Sequence, residues 1–513
     1  MTRDAETKLS RVFDVAAQFL SSVAGRGLYL ALQVFLARQL GPFEFGLYCI
    51  GWTVIGLTGT LTTVGMPQAV LRYGIGGRAS LVAPPVLIAA GVGLAATVLV
   101  AALADRIATG LFGEPDAGPV IRAFAPAVLT LGLGGVMASS LRVTRALALS
   151  ALAGAALFAL SLGLTLVAFT VWASATSAAA MYSVAAALTL IGTAVLLHAQ
   201  PSTTGAPALR ALARFGVITM FIHGSNVLNI WADRLVIGIL SDAEAVGVYQ
   251  AASQFAMIAV VLRSAVVTVF EAKVPKRRPE GGPPPDVTRE YVAAVRTLLH
   301  ATGPGLVAFG LTAGFWVGLL FGPAYAAGAA PLVTLLAGQV LQTLLGPSVN
   351  ALHMTGDERM VLALTFGGMA LNVAGNFALI PLIGTAGAAL ATVIANNAVC
   401  AVCLARLVRS GRLRASIASF GDLLLGVGAA ALTAGALLYA FGPPSVPLAC
   451  LAALAAYAAH FAVVTATCQT EDDMLGLLRA GAARLASTVK RRRGADDGGA
   501  AAEQPLAARG GSR

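Results

Sequence analysis

LARFGVITMFIHGSNVLNIWADRLVIGILSDAEAVGVYQAASQFAMIAVVLRSAVVTVFEA, residues 212–272, reads as two long apolar segments, 212–240 and 244–272, held apart by a short polar turn. Each is long enough to carry an α-helix across a hydrocarbon core about 30 Å thick. In such a core every backbone N–H and C=O must find its partner inside the segment, which a helix provides. The same pattern recurs along the chain. Blocks at 13–38, 44–66, 80–104, 119–140, 146–171 and 176–198 precede the pair. Blocks at 291–320, 325–350, 359–381 and 384–408 follow it, and a last pair lies at 417–441 and 445–468. The expected fold class is an all-α polytopic membrane protein of about 14 transmembrane helices. Gly303, Pro304 and Gly305 are expected to interrupt the ninth block.

Composition agrees. Of 513 residues 58% are apolar and 11% charged, and mean hydropathy is +0.82, too little charge to cover a soluble surface of this size. The net charge of +11 would suggest a nucleic-acid partner in a soluble protein. Here the basic residues fall in every second short connection: Arg72 and Arg78, Arg142 and Arg145, Arg210 and Arg214, Lys273 to Arg289, Arg359, and Arg406 to Arg414. The positive-inside rule explains that alternation, excludes nucleic acid as the reason for it, and places both termini in the cytoplasm. The other connections carry little beyond Arg38 and Arg106. Arg3, Lys8 and Arg11 precede a long span with no small-residue cleavage site, so the first helix reads as retained. The five cysteines fall inside apolar blocks, where no disulfide framework is expected, and no metal-ligand spacing or P-loop occurs; no cofactor is implied. The 275–290 loop is rich in Pro and Gly and reads as a linker. Residues 471–513 form a basic tail in which Lys490 to Arg493 suit anionic headgroups.

The chain also resembles itself. GPFEFGLY (41–48) aligns with SDAEAVGVY (241–249), so that Gly46 meets Gly247 and Tyr48 meets Tyr249. At the same offset Arg72 meets Lys273, and LFG at 111–113 meets LFG at 320–322. Two parallel six-helix repeats follow: an N-lobe over 1–210, a C-lobe over 211–410, and an added helix pair over 411–470. Parallel repeats of this kind place a transport site near the bilayer midplane, between the halves.

A charge at the centre of a membrane helix costs about 2.5–3.5 kcal/mol on insertion scales, so it marks a partner or a hydrated cavity. Arg26 lies near the middle of the first span and Arg263 well inside the eighth. Both are candidate contacts for an anionic head group, since a guanidinium stays ionised and donates a planar fork of hydrogen bonds. Asn226 and Asn229 share a helix face with Asp233 and are candidate substrate contacts. Asp233 and Arg234 suit either an ion-coupling role or an ion pair. Arg72, Arg142 and Lys273 are orientation charges that would also guide an anion into a cytoplasmic mouth. Asn372, Asn376, Gln339 and Gln342 read as hydrogen-bonding links between helices. Asp105, Glu114 and Asp116 are the one acidic cluster that a membrane glycosyltransferase would need.

Four stretches together resemble a known family. ADRLVIGILSDAEAVGVYQAAS (232–253), NVAGNFALIPLIGTAGAALAT (372–392), LARQLGPFEFGLY (36–48) with VGMPQAVLRYG (64–74), and LFGPAYAAGAAPLVTLLA (320–337) are similar to the polysaccharide transporter family. This is the Wzx-like oligosaccharide flippase branch of the multidrug/oligosaccharidyl-lipid/polysaccharide exporter superfamily. The resemblance implies two lobes, alternating access and no enzymatic activity. It implies a polyprenyl-pyrophosphate-linked anionic glycan as substrate, moved from the cytoplasmic to the outer leaflet of a bacterial inner membrane, with Arg26 on the pyrophosphate or on an acidic sugar. H+ or Na+ as coupling ion, surrounding membrane lipids, and a polysaccharide polymerase or synthase are the implied partners. A lipid II flippase, an ion-coupled multidrug exporter, and a membrane glycosyltransferase or polymerase are the alternatives.

Overall fold

The computed structural model describes residues 3–144, 146–203, 209–274, 285–414 and 417–467. Most of the Pro-rich loop, the basic tail and Arg145 therefore lie outside the described residues. Among those described, helix dominates and no strand occurs. The helices are, in order, α1 (Arg3–Thr62), α2 (Met66–Tyr73), α3 (Pro84–Leu111), α4 (Ala117–Val143), α5 (Leu147–Phe169), α6 (Ala175–His198), α7 (Leu209–Leu240) and α8 (Ala243–Lys273). There follow α9 (Thr288–Leu311), α10 (Ala313–Phe321), α11 (Ala329–Leu345), α12 (Pro347–Met354), α13 (Glu358–Ile383), α14 (Thr385–Arg409), α15 (Gly421–Phe441) and α16 (Val446–Thr467).

Helix α1 is two arms. Gly41 breaks it with φ 75° and ψ 172°, and Pro42 opens the second arm, where its missing N–H costs nothing. Each of the fourteen apolar blocks thus has a helical counterpart, α9 with α10 making the ninth and α11 with α12 the tenth. Eleven described stretches are long and apolar enough to cross a membrane, or twelve with α7, which bends by 46° around residue 226. The chain is a multi-pass membrane protein. The interruption expected at 303–305 falls elsewhere: α9 runs through Pro304 and breaks only at Thr312. A neighbouring helix makes the proline tolerable. Gly305 admits Tyr457 of α16, whose hydroxyl donates to the Ala301 carbonyl at 2.7 Å, one turn ahead of the proline.

Helices α1 and α3 to α6 pack on one another, and α7 to α14 do likewise; α15 and α16 pair together and lean on α9. That last contact is polar as well as apolar. Arg296 of α9 and Asp422 of α15 form an ion pair at 2.5 Å with both side chains largely buried. Nearby, Nδ1 of His300 lies 3.1 Å from Nε2 of His460 on α16.

The two sets of helices meet backbone to backbone at both ends of the bundle, at Gly65 and Gly216 on the Arg72 side and again at the end that holds Gly41. There the second arm of α1 crosses the start of α8 at Gly46 and Gly247, the pair aligned by the internal repeat. A Cβ on Gly247 would lie 3.1–3.3 Å from the Gly46 backbone and overlap the Pro42 carbonyl, and a Cβ on Gly46 would overlap the Ala243 carbonyl. Only glycine at both positions allows the approach. Around the crossing, Arg38 Nε donates to the Leu320 carbonyl at 2.7 Å and Tyr325 donates to the Ala37 carbonyl at 2.9 Å. Glu114 accepts from the Ala243 N–H at 3.1 Å, satisfying one of the free donors at the start of α8. Asp105 pairs with Arg122 at 2.6 Å. Two members of the acidic cluster are thus engaged in packing at this end. Repeat-related Gly113 and Gly322 both take positive φ, 68° and 107°, each just past the end of an apolar helix.

Candidate functional site

Between the two sets lies a cavity of ≈ 500 Å³. Three arginines line it, each from a different helix: Arg26 on the first arm of α1, Arg142 at the end of α4, and Arg234 on α7. Among the described residues no carboxylate lines it. Arg26 and Arg142 are exposed to the space. The Arg142 Nε is steadied by the Ser150 hydroxyl at 3.1 Å, which itself donates to the Ala138 carbonyl at 3.0 Å.

Arg234 is fixed most firmly. Its guanidinium donates to the Ile230 carbonyl at 2.8 Å, to the Ser253 hydroxyl at 2.7 Å, and through Nε to Gln250. Gln250 in turn donates to the Tyr29 hydroxyl at 3.2 Å, so a polar chain runs from α7 through α8 to α1. The guanidinium also lies over the Trp231 and Tyr249 rings, at 5.4 and 5.8 Å from their centres. All these partners are neutral. They orient the charge without cancelling it, and an anion entering the cavity would meet pre-positioned donors.

Asp233, the neighbour of Arg234 in the chain, faces the other way. Adjacent residues on a helix do not share a face. Its carboxylate is buried and accepts from Tyr249 at 2.5 Å, from Asn376 at 3.0 Å, from Asn372 at 3.4 Å, and from Thr392 at 2.8 and 2.7 Å. Helices α7, α8, α13 and α14 each contribute to this cage. Among the described residues no cation pairs with Asp233, and the Oδ1 of Asn376 is buried with no hydrogen-bond partner. The cage is therefore all oxygen and amide, with one negative charge at its centre and a side-chain carbonyl to spare. Tyr249 joins the two sites, its hydroxyl on Asp233 and its ring under Arg234.

The remaining expected residues fall elsewhere. Arg263 does not line the arginine cavity; its guanidinium donates to Gln339, at 3.1 Å, and to Gln342, both on α11. Asn229 is half-buried on α7 and does not line this cavity, and the side chain of Asn226 lies outside those described. Arg72 is exposed at the far end of the bundle from Gly41, its guanidinium 4.6 Å from the Phe215 ring centre, and Lys273 is exposed at the end of α8. Three cage members, Tyr249, Asn372 and Asn376, had been noted only as a repeat marker and as links between helices. Thr392 had no role assigned, although it closes the 372–392 motif.

Comparison with known proteins fits this arrangement. The family model described as polysaccharide biosynthesis protein matches residues 35–329. A sequence search among curated proteins finds no match. Among solved structures, lipid II flippase MurJ in an inward closed conformation superposes with a TM-score of 0.70 at 14% identity, covering 88% of this chain and 98% of that one. An inward-facing multidrug resistance MATE family transporter of the MOP superfamily gives 0.58 at 17% identity, over 77% of this chain and 96% of that one. An outward-facing structure of such a transporter gives 0.55 at 16% identity, over 79% and 96%. These likenesses show the fold.

Proposed function

This chain belongs to the polysaccharide biosynthesis protein family, and from that premise we propose that it is a flippase for lipid-linked glycans. It moves polyprenyl-pyrophosphate-linked oligosaccharide units from the cytoplasmic to the outer leaflet of a bacterial inner membrane, with no chemical step. The carrying observation is the cavity between the halves, lined by Arg26, Arg142 and Arg234 and by no carboxylate. A pyrophosphate offers several anionic oxygens to three guanidinium groups, the geometry at which arginine is strongest. A cationic drug would be repelled by the same field.

In this proposal both termini are cytoplasmic and the Gly41 end faces outward. The Gly46–Gly247 crossing then closes the outer side, and the contact of Gly65 with Gly216 near Arg72 parts when the cavity takes its load from the cytoplasm, with Lys273 also near that mouth. The halves at 1–210 and 211–410 rock about that crossing, and 411–470 rides on the second half. The Asp233 cage supplies coupling: Na+ or H+ neutralises the buried carboxylate, and Tyr249 passes the change to Arg234. A polymerase or synthase consumes the product outside.

The test is deletion of the gene in its own host, with lipid-linked glycan measured in the cytoplasmic leaflet. Accumulation relieved by wild type but not by Arg26→Ala or Arg234→Ala is the expected result. Accumulation of a peptidoglycan precursor instead would move the assignment to lipid II. No accumulation of either, in a strain without a second flippase gene, overturns the reading.

A further inference from the structure

A second cavity, of ≈ 390 Å³, adjoins the arginine cavity. Trp52 and Trp231 line both, and stand between them. Each half of the molecule supplies one indole: Trp52 from the second arm of α1, Trp231 from α7. Trp231 lies directly against the α1 backbone, for a Cβ on Gly56 would be 2.8 Å from its Cε2. Trp52 is one helical turn before Gly56, so both rings border the same groove. Trp52 is held by an aromatic cluster, with the Tyr182 ring centre 4.5 Å away.

The two cavities differ in chemistry. The second has no lysine, arginine or carboxylate in its lining; its polar groups are Thr60, Thr63, Gln68 and His223. Gly59, with nothing within 4 Å of where a Cβ would stand, leaves room for a ligand close to the backbone. Hydroxyl, amide and imidazole groups beside two indoles match a pyranose ring, whose apolar C–H face suits aromatic side chains while its hydroxyls exchange hydrogen bonds with the polar groups. The volume falls within the roughly 300–1,000 Å³ of ordinary small-molecule pockets. The junction fixes the order of the parts, because the guanidinium of Arg234 stands 5.4 Å from the centre of the Trp231 ring. A phosphate held by Arg234 therefore places the sugar attached to it at the indole pair.

We propose that this second cavity is the subsite for the sugar bonded directly to the pyrophosphate, and that it selects an uncharged sugar there. The proposal rests on the flippase reading and adds to it the nature of the first sugar. Among the described residues lining the second cavity an acidic sugar would find no lysine or arginine, and an amino sugar no carboxylate.

The experiment uses the purified full chain in nanodiscs. Its probes are farnesyl diphosphate and farnesyl diphosphate carrying N-acetylglucosamine, glucuronic acid or glucosamine, with binding followed by quenching of tryptophan fluorescence. Wild type should bind the N-acetylglucosamine probe about tenfold or more tightly than the sugar-free one. The two charged-sugar probes should show no such gain. In Gln68→Leu, which lies in the lining of the second cavity and not of the first, the gain should fall several-fold while affinity for farnesyl diphosphate stays within about twofold. Thr60→Val, which keeps shape and fold, should reduce the gain several-fold. Equal affinity for the sugar-free and N-acetylglucosamine probes, or a gain that survives in both variants, overturns the subsite and leaves the flippase reading standing. Failure of all four probes to bind wild type overturns both.

Discussion

Asp233→Ala removes the acceptor on which Tyr249, Asn376 and Thr392 converge at 2.5–3.0 Å, with Asn372 at 3.4 Å beside them. The position is buried, and replacement water would have to enter a space closed by four helices. Each orphaned donor costs about 1–3 kcal/mol. The costs overlap because Asn372, Asn376 and Thr392 also bond one another and can regroup. The sum expected is about 3–6 kcal/mol, at the upper end of what one substitution does. Asp233→Asn keeps one carbonyl acceptor and most of the shape, so about 1–2 kcal/mol is expected for it. Equilibrium unfolding in mixed micelles measures both. The same titrations in sodium chloride and in choline chloride at matched ionic strength test coupling. A cation bound at a hundredfold excess over its Kd stabilises the folded state by about 2.7 kcal/mol. Wild type should show such a sodium dependence and Asp233→Asn should not. Asp233→Ala within about 1 kcal/mol of wild type would refute the picture of a closed cage. An undiminished sodium response in Asp233→Asn would remove Asp233 from the cation site.

Three further outcomes are expected. Replacing Arg26, Arg142 or Arg234 singly by Ala should weaken diphosphate binding roughly ten- to hundredfold, as loss of one charge-assisted contact of about 1.5–3 kcal/mol implies; calorimetry with farnesyl diphosphate measures it. Gly46→Val or Gly247→Val should force the Gly41 end apart, seen as a longer distance between spin labels at Leu111 and Leu382, both exposed at that end. Arg296→Met alone should destabilise the docking of α15 on α9 by about 3–5 kcal/mol, because it strands Asp422 in a largely buried setting. Adding Asp422→Leu should recover most of the loss, with thermal unfolding as the readout.

Much of this was legible in the residues. Length and hydropathy were enough for the helices, since each block must satisfy its own backbone. The alignment of Gly46 with Gly247 was legible as a mark of the repeat, but that the two glycines touch came only from the folded chain. Arg26 stood out because a charge in mid-span needs a reason. Arg142 read as an orientation charge because it ends its helix; only the inward turn between α4 and α5, which sets Ser150 beside it, brings it to the cavity. The roles of Asp233 and Arg234 were within reach, since helical neighbours diverge by about 100° and cannot both face one site. The partners of Asp233 were not, because three of them come from stretches more than a hundred residues away. Pro304 misled for a related reason: local breaker signals say nothing of Tyr457, which arrives from α16 to bond the Ala301 carbonyl.

The meeting of Gly46 with Gly247 makes the seam of the molecule resemble the axis of a homodimer, in which a surface patch is complementary to its own copy. In a duplicated and fused chain the two copies are free to diverge, yet here each glycine is the steric condition for the other. Away from the seam the copies have parted. Tyr249 donates to Asp233, while its counterpart Tyr48 is buried with its hydroxyl unpartnered, and the register that aligns the two tyrosines sets Leu32 opposite Asp233. Symmetry is kept where the halves touch and broken where one of them holds a charge. A duplicated gene thus keeps the glycine contact in both copies and carries a carboxylate in a single half.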